Sequence, residues 1–385
     1  MTNDSLKKFI NLKRETKGMI NIDPLQAGGI LTDEARQTLV EWGDGFSVCD
    51  FCQGKLSEIK TPPIFDFVHN VLPEFIGADA ICLTNGAREG KFMIMYSIAK
   101  QGDFIIIDKN SHYTTYVAAE RTGLKIKEIE NSGYPEFKID VNKYEDAIKE
   151  IKKENGNIAL LLLTWPDGNY GNLPDVKKLA KISGKYKIPL LLNTAYAIGR
   201  MPVKMNELGV DFVIASGHKS MASSGPIGFI GMKKEWENIL MKKSQYFPKK
   251  EIEALGCTAR GTSLMTLMAS FPKVVERVNQ WPEQVKKAQW FSEEMEKLGI
   301  KQLGEKPHQH DLMFFESDKL FEISQKDKRG RYFLYQKLKK RNIWGIKPGL
   351  TKHFKLSTFA ATKEKLQKVI NAFAEILSSY PQQTL

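Results

Sequence analysis

A lysine stands where a buried stretch of chain opens into a turn of small residues. The apolar run at residues 211–215 is followed by the pentapeptide SGHKS at residues 216–220, which contains Lys219. A lysine amine attacks a carbonyl carbon only when it is deprotonated, and a desolvated pocket lowers its pKa enough to supply that form near neutral pH. Because the chain holds 57 Lys and Arg, a lysine that simply follows a strand is the alternative. Its surroundings favour Lys219 as a Schiff-base nucleophile.

The segment TNGAREG at residues 84–90 has the composition of a phosphate-binding turn. It lies between an apolar stretch at residues 79–83 and a helical pattern at residues 92–99. A glycine-bearing turn at a helix start presents backbone N–H groups and the positive end of the helix dipole, which together hold a phosphate. It is not a P-loop, because the spacing to Lys91 is one residue short and Phe92 stands where a magnesium-binding Ser or Thr is required.

A second apolar stretch, at residues 189–192, ends in a polar side chain, Asn193. In a pyridoxal phosphate enzyme this place usually carries an acid that faces the nitrogen of the cofactor ring. A neutral amide cannot hold that nitrogen protonated as a carboxylate would, so we expect a weaker electron sink. A phosphate-binding turn, a polar residue for the ring and a lysine therefore occur in the order that a pyridoxal phosphate site requires.

Five segments in this order carry a family resemblance: CDFC at residues 49–52, TNGAREG at 84–90, NTAY at 193–196, SGHK at 216–219 and GCTARGTS at 256–263. On these segments the chain resembles fold-type I pyridoxal phosphate enzymes and, among them, the archaeal O-phosphoseryl-tRNA:cysteinyl-tRNA synthase family. The resemblance runs from about residue 23 to the C-terminus. It implies that O-phosphoseryl-tRNA(Cys) becomes cysteinyl-tRNA(Cys) by β-elimination of phosphate and addition of sulfur.

The resemblance also implies roles for individual residues. Lys219 carries the cofactor and then removes the α proton of the substrate. His112, in NSHY at residues 110–113, stands where these enzymes place a ring that stacks on the pyridine. Arg88 and Arg260 are candidates for the phosphate group of the substrate. The predicted cofactor-binding residues are Ala87, Arg88, His112, Asn169, Asn193, Ser216, His218 and Lys219.

The cysteines are predicted to handle sulfur. Cys49 and Cys52 have no second pair at the distance of a zinc finger, so we do not expect a structural four-thiolate zinc site. An incidental or buried pair is the alternative. In the family that the chain resembles, the counterparts of Cys49, Cys52 and Cys257 carry sulfur as a persulfide or through an iron–sulfur cluster, and three thiolates suit either one. Cys82 is expected to be a core residue.

Alternating apolar runs and helical patterns predict the architecture. Continuous apolar strands with helices between them are typical of a parallel sheet that is covered on both faces. We therefore predict an α/β fold, with a mostly parallel seven-stranded sheet and a smaller C-terminal α+β domain. The predicted strands lie at residues 80–84, 104–107, 124–128, 158–163, 189–192, 211–214 and 226–231. The predicted divisions are a basic arm at 1–22, a large cofactor-binding domain at 23–245, and linker helices with the small domain at 246–385.

Composition and charge point to an anionic partner. The 385 residues carry a formal net charge of +12, which favours nucleic acid. The stretch at residues 323–355 is rich in Lys, Arg and aromatic residues and is the predicted tRNA surface. No apolar run approaches the roughly 20 residues that span a bilayer, so a cytoplasmic protein is expected and no membrane contact. The resemblance adds a homodimer, a sulfur donor, tRNA(Cys) carrying phosphoserine, and contact with the phosphoseryl-tRNA synthetase.

Three other readings of the sequence remain. A cysteine desulfurase or selenocysteine lyase would act on a free amino acid, and it would need an arginine for the substrate carboxylate where this chain has Lys355. A non-enzymatic RNA-binding protein would explain the charge but not the ordered site. A nicotinamide dehydrogenase is disfavoured, because no G-x-G-x-x-G follows the first strand. His310 and His353 are further candidates to approach the site from the small domain.

Overall fold

The computed structural model describes residues 13–23, 30–44, 63–248, 250–254 and 261–380. The strands are β1 (Ile20–Asn21), β2 (Ala80–Thr84), β3 (Phe104–Asp108), β4 (Lys125–Ile129), β5 (Ile158–Thr164), β6 (Leu190–Asn193), β7 (Phe212–Ser216), β8 (Gly228–Met232), β9 (Lys301–Leu303), β10 (Leu312–Glu316), β11 (Ile343–Trp344) and β12 (His353–Ser357).

The helices surround these strands. They are α1 (Asp33–Glu41), α2 (Ile64–Asp66), α3 (Leu72–Ile76), α4 (Ala87–Ile98), α5 (Tyr113–Arg121), α6 (Asn142–Lys153), α7 (Val176–Tyr186), α8 (Met205–Leu208), α9 (Lys234–Leu240), α10 (Gly261–Asn279), α11 (Trp281–Lys297), α12 (Asp318–Lys326), α13 (Phe333–Lys339) and α14 (Lys363–Ser378). A π-helical turn, Phe67–Val71, joins α2 to α3. No helix of the described ranges is long and apolar enough to cross a membrane.

The large sheet has seven strands in the order β2-β8-β7-β6-β5-β3-β4. Strand β8 runs antiparallel to both of its neighbours, and the remaining pairs are parallel. The inner strands β5, β6 and β7 are apolar because both faces are covered, whereas the edge strand β4 carries three charged residues and is largely exposed. In β5, Leu161 and Leu163 pack into one core while Leu160 and Leu162 pack into the core on the opposite face. All seven predicted strands are present, and the predicted α/β fold with its mostly parallel sheet is confirmed.

The small domain is built on a three-stranded antiparallel sheet, β12-β10-β9. Strand β9 was not predicted, because it is only three residues long. Helices α11 and α14 close the apolar core of this domain through side chains such as Phe291 and Phe373. The sequence pattern of residues 272–298 predicts a single helix that begins at Pro272, and this prediction is wrong. Two helices, α10 and α11, meet there, and Pro272 lies inside α10 and does not begin a helix.

Two of the predicted domain boundaries do not match the packing. Residues Ile20 and Asn21 pair in parallel with β11, and Ile22 is fully buried in the core of the small domain. The end of the predicted basic arm is thus part of the small domain, because the apolar side chain of Ile22 packs into the core of that domain. Helix α10, assigned by sequence to the linker, packs into the core beneath the large sheet through residues such as Leu264 and Phe271.

Candidate active site

The carboxyl ends of β5, β6 and β7 open into a cavity of about 310 Å³. The N-terminus of α4 and the chain between β3 and α5 complete its walls. This cavity brings together seven of the residues predicted to bind cofactor, although they are spread over more than a hundred positions of the chain. They are Ala87, Arg88, His112, Asn193, Ser216, His218 and Lys219.

Lys219 is held in a turn that directs its amine into the cavity. The turn is closed by hydrogen bonds from Lys219 N to Ser216 O, 3.1 Å, and from Gly217 N to Ile227 O, 2.8 Å. The Lys219 Nζ atom lies 4.2 Å from the centre of the Tyr196 ring. Burial, together with the positive charges of Arg200 and Lys355, lowers the pKa of the Lys219 amine to about 8. A reactive, deprotonated amine is therefore available near neutral pH.

The predicted phosphate-binding turn is at the N-terminus of α4, a helix of 12 residues. Its N-cap, Gly86, has φ +130°, a backbone conformation that favours glycine. A Cβ atom at this position would lie 3.2 Å from the Cε1 atom of His218, so the lack of a side chain also lets the histidine approach. Gly86 has no side chain to cap the helix, so the first-turn N–H groups and the dipole of α4 can hold an anion in the cavity.

Asn193 presents hydrogen-bond donors to the cavity. Its Oδ1 atom accepts from the backbone N–H of Ala195 at 3.4 Å, which leaves the amide NH₂ group for a ligand. An NH₂ group donates to a pyridine nitrogen that carries no proton of its own. The cavity therefore suits a cofactor ring in its neutral form, as the sequence predicts from the amide at this position.

His218 is placed against the phosphate-binding turn, but its hydrogen-bonding constrains what it can do. The Nδ1 atom lies 3.1 Å from Ile227 O, so Nδ1 carries the hydrogen and donates it to the carbonyl. Burial and the charge of Lys219 lower the pKa of His218, although the bond to Ile227 acts in the opposite direction. In the neutral ring Nε2 is an acceptor, and contact with a phosphate requires the imidazolium form, which an anion at the turn favours.

A larger chamber of about 600 Å³ adjoins the cavity and shares His112, Tyr113, Gly168 and Tyr196 with it. Lys355, from β12 of the small domain, lines the chamber. The Lys355 Nζ atom donates to Gly168 O and to Asn169 Oδ1, both at 2.8 Å. Asn169 thus lies in this outer chamber and not against the inner cavity.

The two small-domain histidines differ in position. His353 lines the outer chamber, and its Nε2 atom is 2.9 Å from Glu316 Oε1. His310 is fully buried and accepts the backbone N–H of Leu312 at 3.0 Å, so it is a core residue beside Asp311. Only His353 of this pair reaches the chambers described above.

Arg200 connects the lysine turn to the small domain. Its Nε atom donates to Ser220 Oγ at 2.9 Å, next to Lys219 in the chain. Its Nη1 atom donates to Asp311 Oδ1 at 2.7 Å and to Ser357 Oγ at 3.3 Å. The Arg200 side chain has no exposed surface. No pattern in the sequence predicts this role, because Arg200 lies outside every motif and its partners are distant in the chain.

Lys91 was considered in the sequence only as a mismatch to a P-loop. The structure places it in the wall of the inner cavity with 1% of its surface exposed. The sequence contains a signal for this buried position, because Lys91 lies on the face of α4 that also carries Ala87 and Ile94, both buried. A charged residue on the apolar stripe of an amphipathic helix is a candidate for a role in a site.

Four of the predicted site residues lie outside the part of the chain that the structure describes: Cys49, Cys52, Cys257 and Arg260. The fourth cysteine, Cys82, is buried in β2, as expected of a core residue. Within the described ranges no three His, Cys, Asp or Glu side chains are grouped as a metal ion requires. The predicted sulfur chemistry at the three other cysteines stays a prediction.

The residues around the inner cavity fit pyridoxal phosphate. The cavity offers an amine for its aldehyde, a helix N-terminus for its phosphate and an amide for its ring nitrogen. Together with the mostly parallel seven-stranded sheet, they place the chain in the class of fold-type I pyridoxal phosphate-dependent enzymes. An apo cysteine desulfurase from Thermococcus onnurineus has the same fold, with a TM-score of 0.73 at 16% identity over 94% of this chain and 95% of that one.

Comparison of the sequence with known proteins identifies the family. A family model described as O-phosphoseryl-tRNA(Sec) selenium transferase, SepSecS, matches residues 43–378, and the chain belongs to this family. The O-phospho-L-seryl-tRNA:Cys-tRNA synthase of Methanosarcina acetivorans is 57% identical to it, over 99% of both chains. A crystal structure of a SepCysS-SepCysE N-terminal domain complex matches with a TM-score of 0.92 and 47% identity, over 97% of this chain and 99% of that one.

Proposed function

We propose that this enzyme converts O-phosphoseryl-tRNA(Cys) to cysteinyl-tRNA(Cys), with release of phosphate and incorporation of sulfur. Similarity over the full chain to synthases of that name, at 45 to 57% identity, carries the proposal. The overall reaction balances with a sulfide equivalent as co-reactant. The C–O bond at the β carbon breaks, phosphate leaves with its electron pair, and a C–S bond forms at the same carbon.

The amine of Lys219 is the base in this proposal. Pyridoxal phosphate, when bound, withdraws electrons from the α carbon of the amino acid and so makes its proton removable. Lys219 Nζ takes that proton, since its lowered pKa of about 8 leaves a deprotonated fraction near neutral pH. The Arg200–Ser220 contact, 2.9 Å long, restrains the turn that holds the lysine in position.

The presence of a lysine at position 355, in place of an arginine, favours a substrate whose carboxylate is already esterified. A free amino acid exposes a carboxylate, which an arginine holds through two parallel hydrogen bonds, and a lysine cannot provide that fork. The Lys355 ammonium is already bonded to Gly168 O and Asn169 Oδ1. This is the structural argument against the alternative, a cysteine desulfurase or selenocysteine lyase that acts on a free amino acid.

The remaining site roles belong to the same proposal. His112 stacks on the cofactor ring. Arg88, exposed at the first turn of α4, binds the phosphate group of the substrate together with Arg260. Cys49, Cys52 and Cys257 deliver sulfur through an iron–sulfur cluster or as a persulfide, whose outer sulfur leaves as sulfide when a second cysteine thiolate attacks the inner sulfur; the disulfide that forms is then reduced by an external thiol. The family resemblance supports these assignments, and alanine variants of each residue in the assay below test them.

The experiment is a single incubation of the purified enzyme with phosphoseryl-tRNA(Cys) and sulfide. We expect released phosphate in a one-to-one ratio with cysteine on the tRNA, and neither from a Lys219→Ala variant. Free phosphoserine serves as the matched substrate without the ester, and we expect little turnover of it. Equal turnover of both substrates would refute the argument from Lys355. A loaded enzyme that releases no phosphate from the tRNA would refute the proposed function.

Further partners are part of the proposal. The tRNA meets the basic surface at residues 323–355, whose positive charge is partly neutralised, as by Lys339 with Glu15 and Lys352 with Asp318. Phosphate contacts make affinity fall steeply with salt, so a flat salt dependence would contradict this assignment. The proposal also includes a homodimer, a cytoplasmic location beside the tRNA pool, and contact with the phosphoseryl-tRNA synthetase. Light scattering, alone and with that synthetase, measures both assemblies.

A further inference from the structure

The side chain of Thr114 connects the buried Lys91 to His112 through two hydrogen bonds. The Lys91 Nζ atom is 2.6 Å from Thr114 Oγ1 and 3.1 Å from Thr115 Oγ1. The same Thr114 Oγ1 atom is 2.9 Å from Nδ1 of His112. The backbone N–H of Thr114 also donates to that ring nitrogen, at 3.3 Å, and this bond makes His112 the N-cap of α5. Thr114 is thus a bridge between a buried lysine and a ring of the active site.

The directions of these hydrogen bonds follow from the donors available. An ammonium group has three donors and no acceptor, so Lys91 donates to the hydroxyl oxygen of Thr114. The single hydroxyl hydrogen of Thr114 is then directed to its remaining neighbour, Nδ1 of His112. A backbone N–H can only donate, so two donors converge on one nitrogen. Nδ1 must therefore carry a lone pair, and the hydrogen of the neutral ring is on Nε2.

We propose that Lys91 is a positioning residue that acts through Thr114 to hold His112 as the neutral, Nε2-protonated tautomer. His112 lines both the inner cavity and the outer chamber. With Nδ1 bonded to the start of α5, Nε2 is the ring nitrogen left to meet a ligand. His112 consequently offers an N–H donor to an anionic oxygen and has no lone pair there to accept a proton.

The charges around His112 agree with a neutral ring. Burial, together with Lys91 on α4, Lys219 after β7 and Lys355 on β12, lowers the pKa of His112 to about 4. Lys91 itself is nearly fully buried, and its pKa is lowered to about 7 by burial and by Lys219, while Asp108 acts in the opposite direction. An anion in the adjoining cavity favours the charged form of Lys91, which is the form that donates to Thr114.

The tautomer has a consequence for catalysis, and this part rests on the proposed function. A ring that donates through Nε2 and accepts through Nδ1 is not the base that removes the α proton, so that task falls to Lys219. The Nε2–H group is instead a donor for the phosphate oxygens of the substrate. A preoriented neutral donor stabilises negative charge without taking up a proton.

Two adjacent threonines provide a matched pair of variants that tests the hydrogen-bonded connection from Lys91 through Thr114 to His112. Thr114 and Thr115 are adjacent, buried and both bonded to Lys91, but of their two hydroxyls only that of Thr114 contacts the His112 ring, and the backbone N–H of Thr115 that donates to His112 O is unchanged by a side-chain substitution. Thr114→Val and Thr115→Val each replace a hydroxyl by a methyl group of similar size. Thr114→Ser keeps the hydroxyl and is the conservative rescue. Lys91→Met removes the charge and retains the length of the side chain.

The first measurement is the ¹⁵N spectrum of histidine-labelled holoenzyme, with His112 identified through a His112→Gln variant. We expect unprotonated Nδ1 and protonated Nε2 in the wild type, Thr115→Val and Thr114→Ser. In Thr114→Val and Lys91→Met we expect the Nδ1 signal to move and the pKa of His112 to rise, since a donor or a nearby cation is lost. A hydrogen on Nδ1 of the wild type would overturn the proposal, and so would equal spectra of Thr114→Val and Thr115→Val.

The second measurement separates this inference from the proposed function. We expect Thr114→Val to lower kcat for phosphate release about tenfold, the worth of about one hydrogen bond, with KM and cofactor affinity nearly unchanged. Thr115→Val should retain the wild-type kcat. If the wild type itself makes no cysteinyl-tRNA, the proposed function fails while the spectra still decide the tautomer. Equal losses of kcat in the two valine variants would overturn the positioning role.

Discussion

The ion pair between Arg200 and Asp311 gives a strong test of how the site is held together. Both side chains are buried, with 0% and 3% of their surface exposed, and their charged atoms are 2.7 Å apart. Arg200 also bonds Ser220 beside Lys219 and Ser357 in the small domain. Arg200→Met preserves most of the aliphatic stem and removes the charge. We expect this one change to destabilise the enzyme and to disturb the catalytic lysine.

The size of the expected loss in unfolding free energy follows from the burial of the ion pair. Two unit charges at about 4 Å attract by about 4 kcal/mol at an effective dielectric constant of about 20. Removing one partner of a buried pair costs about 3–5 kcal/mol, since the other charge is left without compensation. Asp311 would be that charge, and its pKa is lowered in the wild type by Arg200 against the effect of burial. We expect Arg200→Met to lose about 3–5 kcal/mol of unfolding free energy at pH 7.

The assay is urea unfolding of the wild type, Arg200→Met, Asp311→Asn and the double variant. In the double variant neither charge remains, so we expect its loss to be smaller than the sum of the single losses by at least about 2 kcal/mol. The pH dependence gives a second check. The lowered pKa of Asp311 in the wild type means that its contribution to stability is present above the unfolded pKa and is lost as the pH falls.

Without Arg200 the sign of that contribution changes. Burial then raises the folded pKa of Asp311 above its unfolded value, so the variant is destabilised at neutral pH and partly recovers as the carboxyl is protonated. The difference between wild type and Arg200→Met should therefore narrow from pH 7 to pH 5. A loss under about 1 kcal/mol, the range of an exposed pair, would refute the reasoning, as would strict additivity in the double variant.

Three further predictions concern the reaction. The first is the rate at which apo enzyme forms a Schiff base with pyridoxal phosphate, measured by absorbance. This rate should rise with pH and level off above about 8, the pKa of Lys219, because only the free amine reacts. A rate that does not change with pH would contradict this prediction. Lys355→Arg should raise turnover of free phosphoserine about tenfold through a bidentate carboxylate pair, and an equal gain with phosphoseryl-tRNA would count against it. Asn193→Asp should increase side products such as transamination relative to elimination, as measured by chromatography, since a stronger electron sink prolongs the carbanion; an unchanged ratio would dismiss the idea.

The large sheet, and the order along the chain of the residues that line the cavity, could be predicted from the amino-acid sequence. Continuous apolar runs predict strands that are covered on both faces, and all seven strands lie within two residues of the expected ends, although β8 runs antiparallel to its neighbours. The ends of parallel strands meet at one edge, so Asn193 and Lys219 were predicted to share a site. Threonines also begin two of the helices locally: the side chains of Thr32 and Thr362 accept from backbone N–H groups of α1 and α14, as threonine does at a helix N-cap.

The charged side chains that contact the site from distant parts of the chain could be assigned only once the fold was known. Arg200 and Asp311 lie 111 residues apart in the chain, and Lys91 and Thr114 lie 23 apart. Such pairs leave no local pattern, because a hydrogen bond between distant side chains depends on how whole elements pack. The same holds for residues 20–22, whose place in the small-domain core follows from pairing with β11 and not from their own composition. Burial then gives these charges their effect on Lys219 and His112, since desolvation acts only after the core has closed around them.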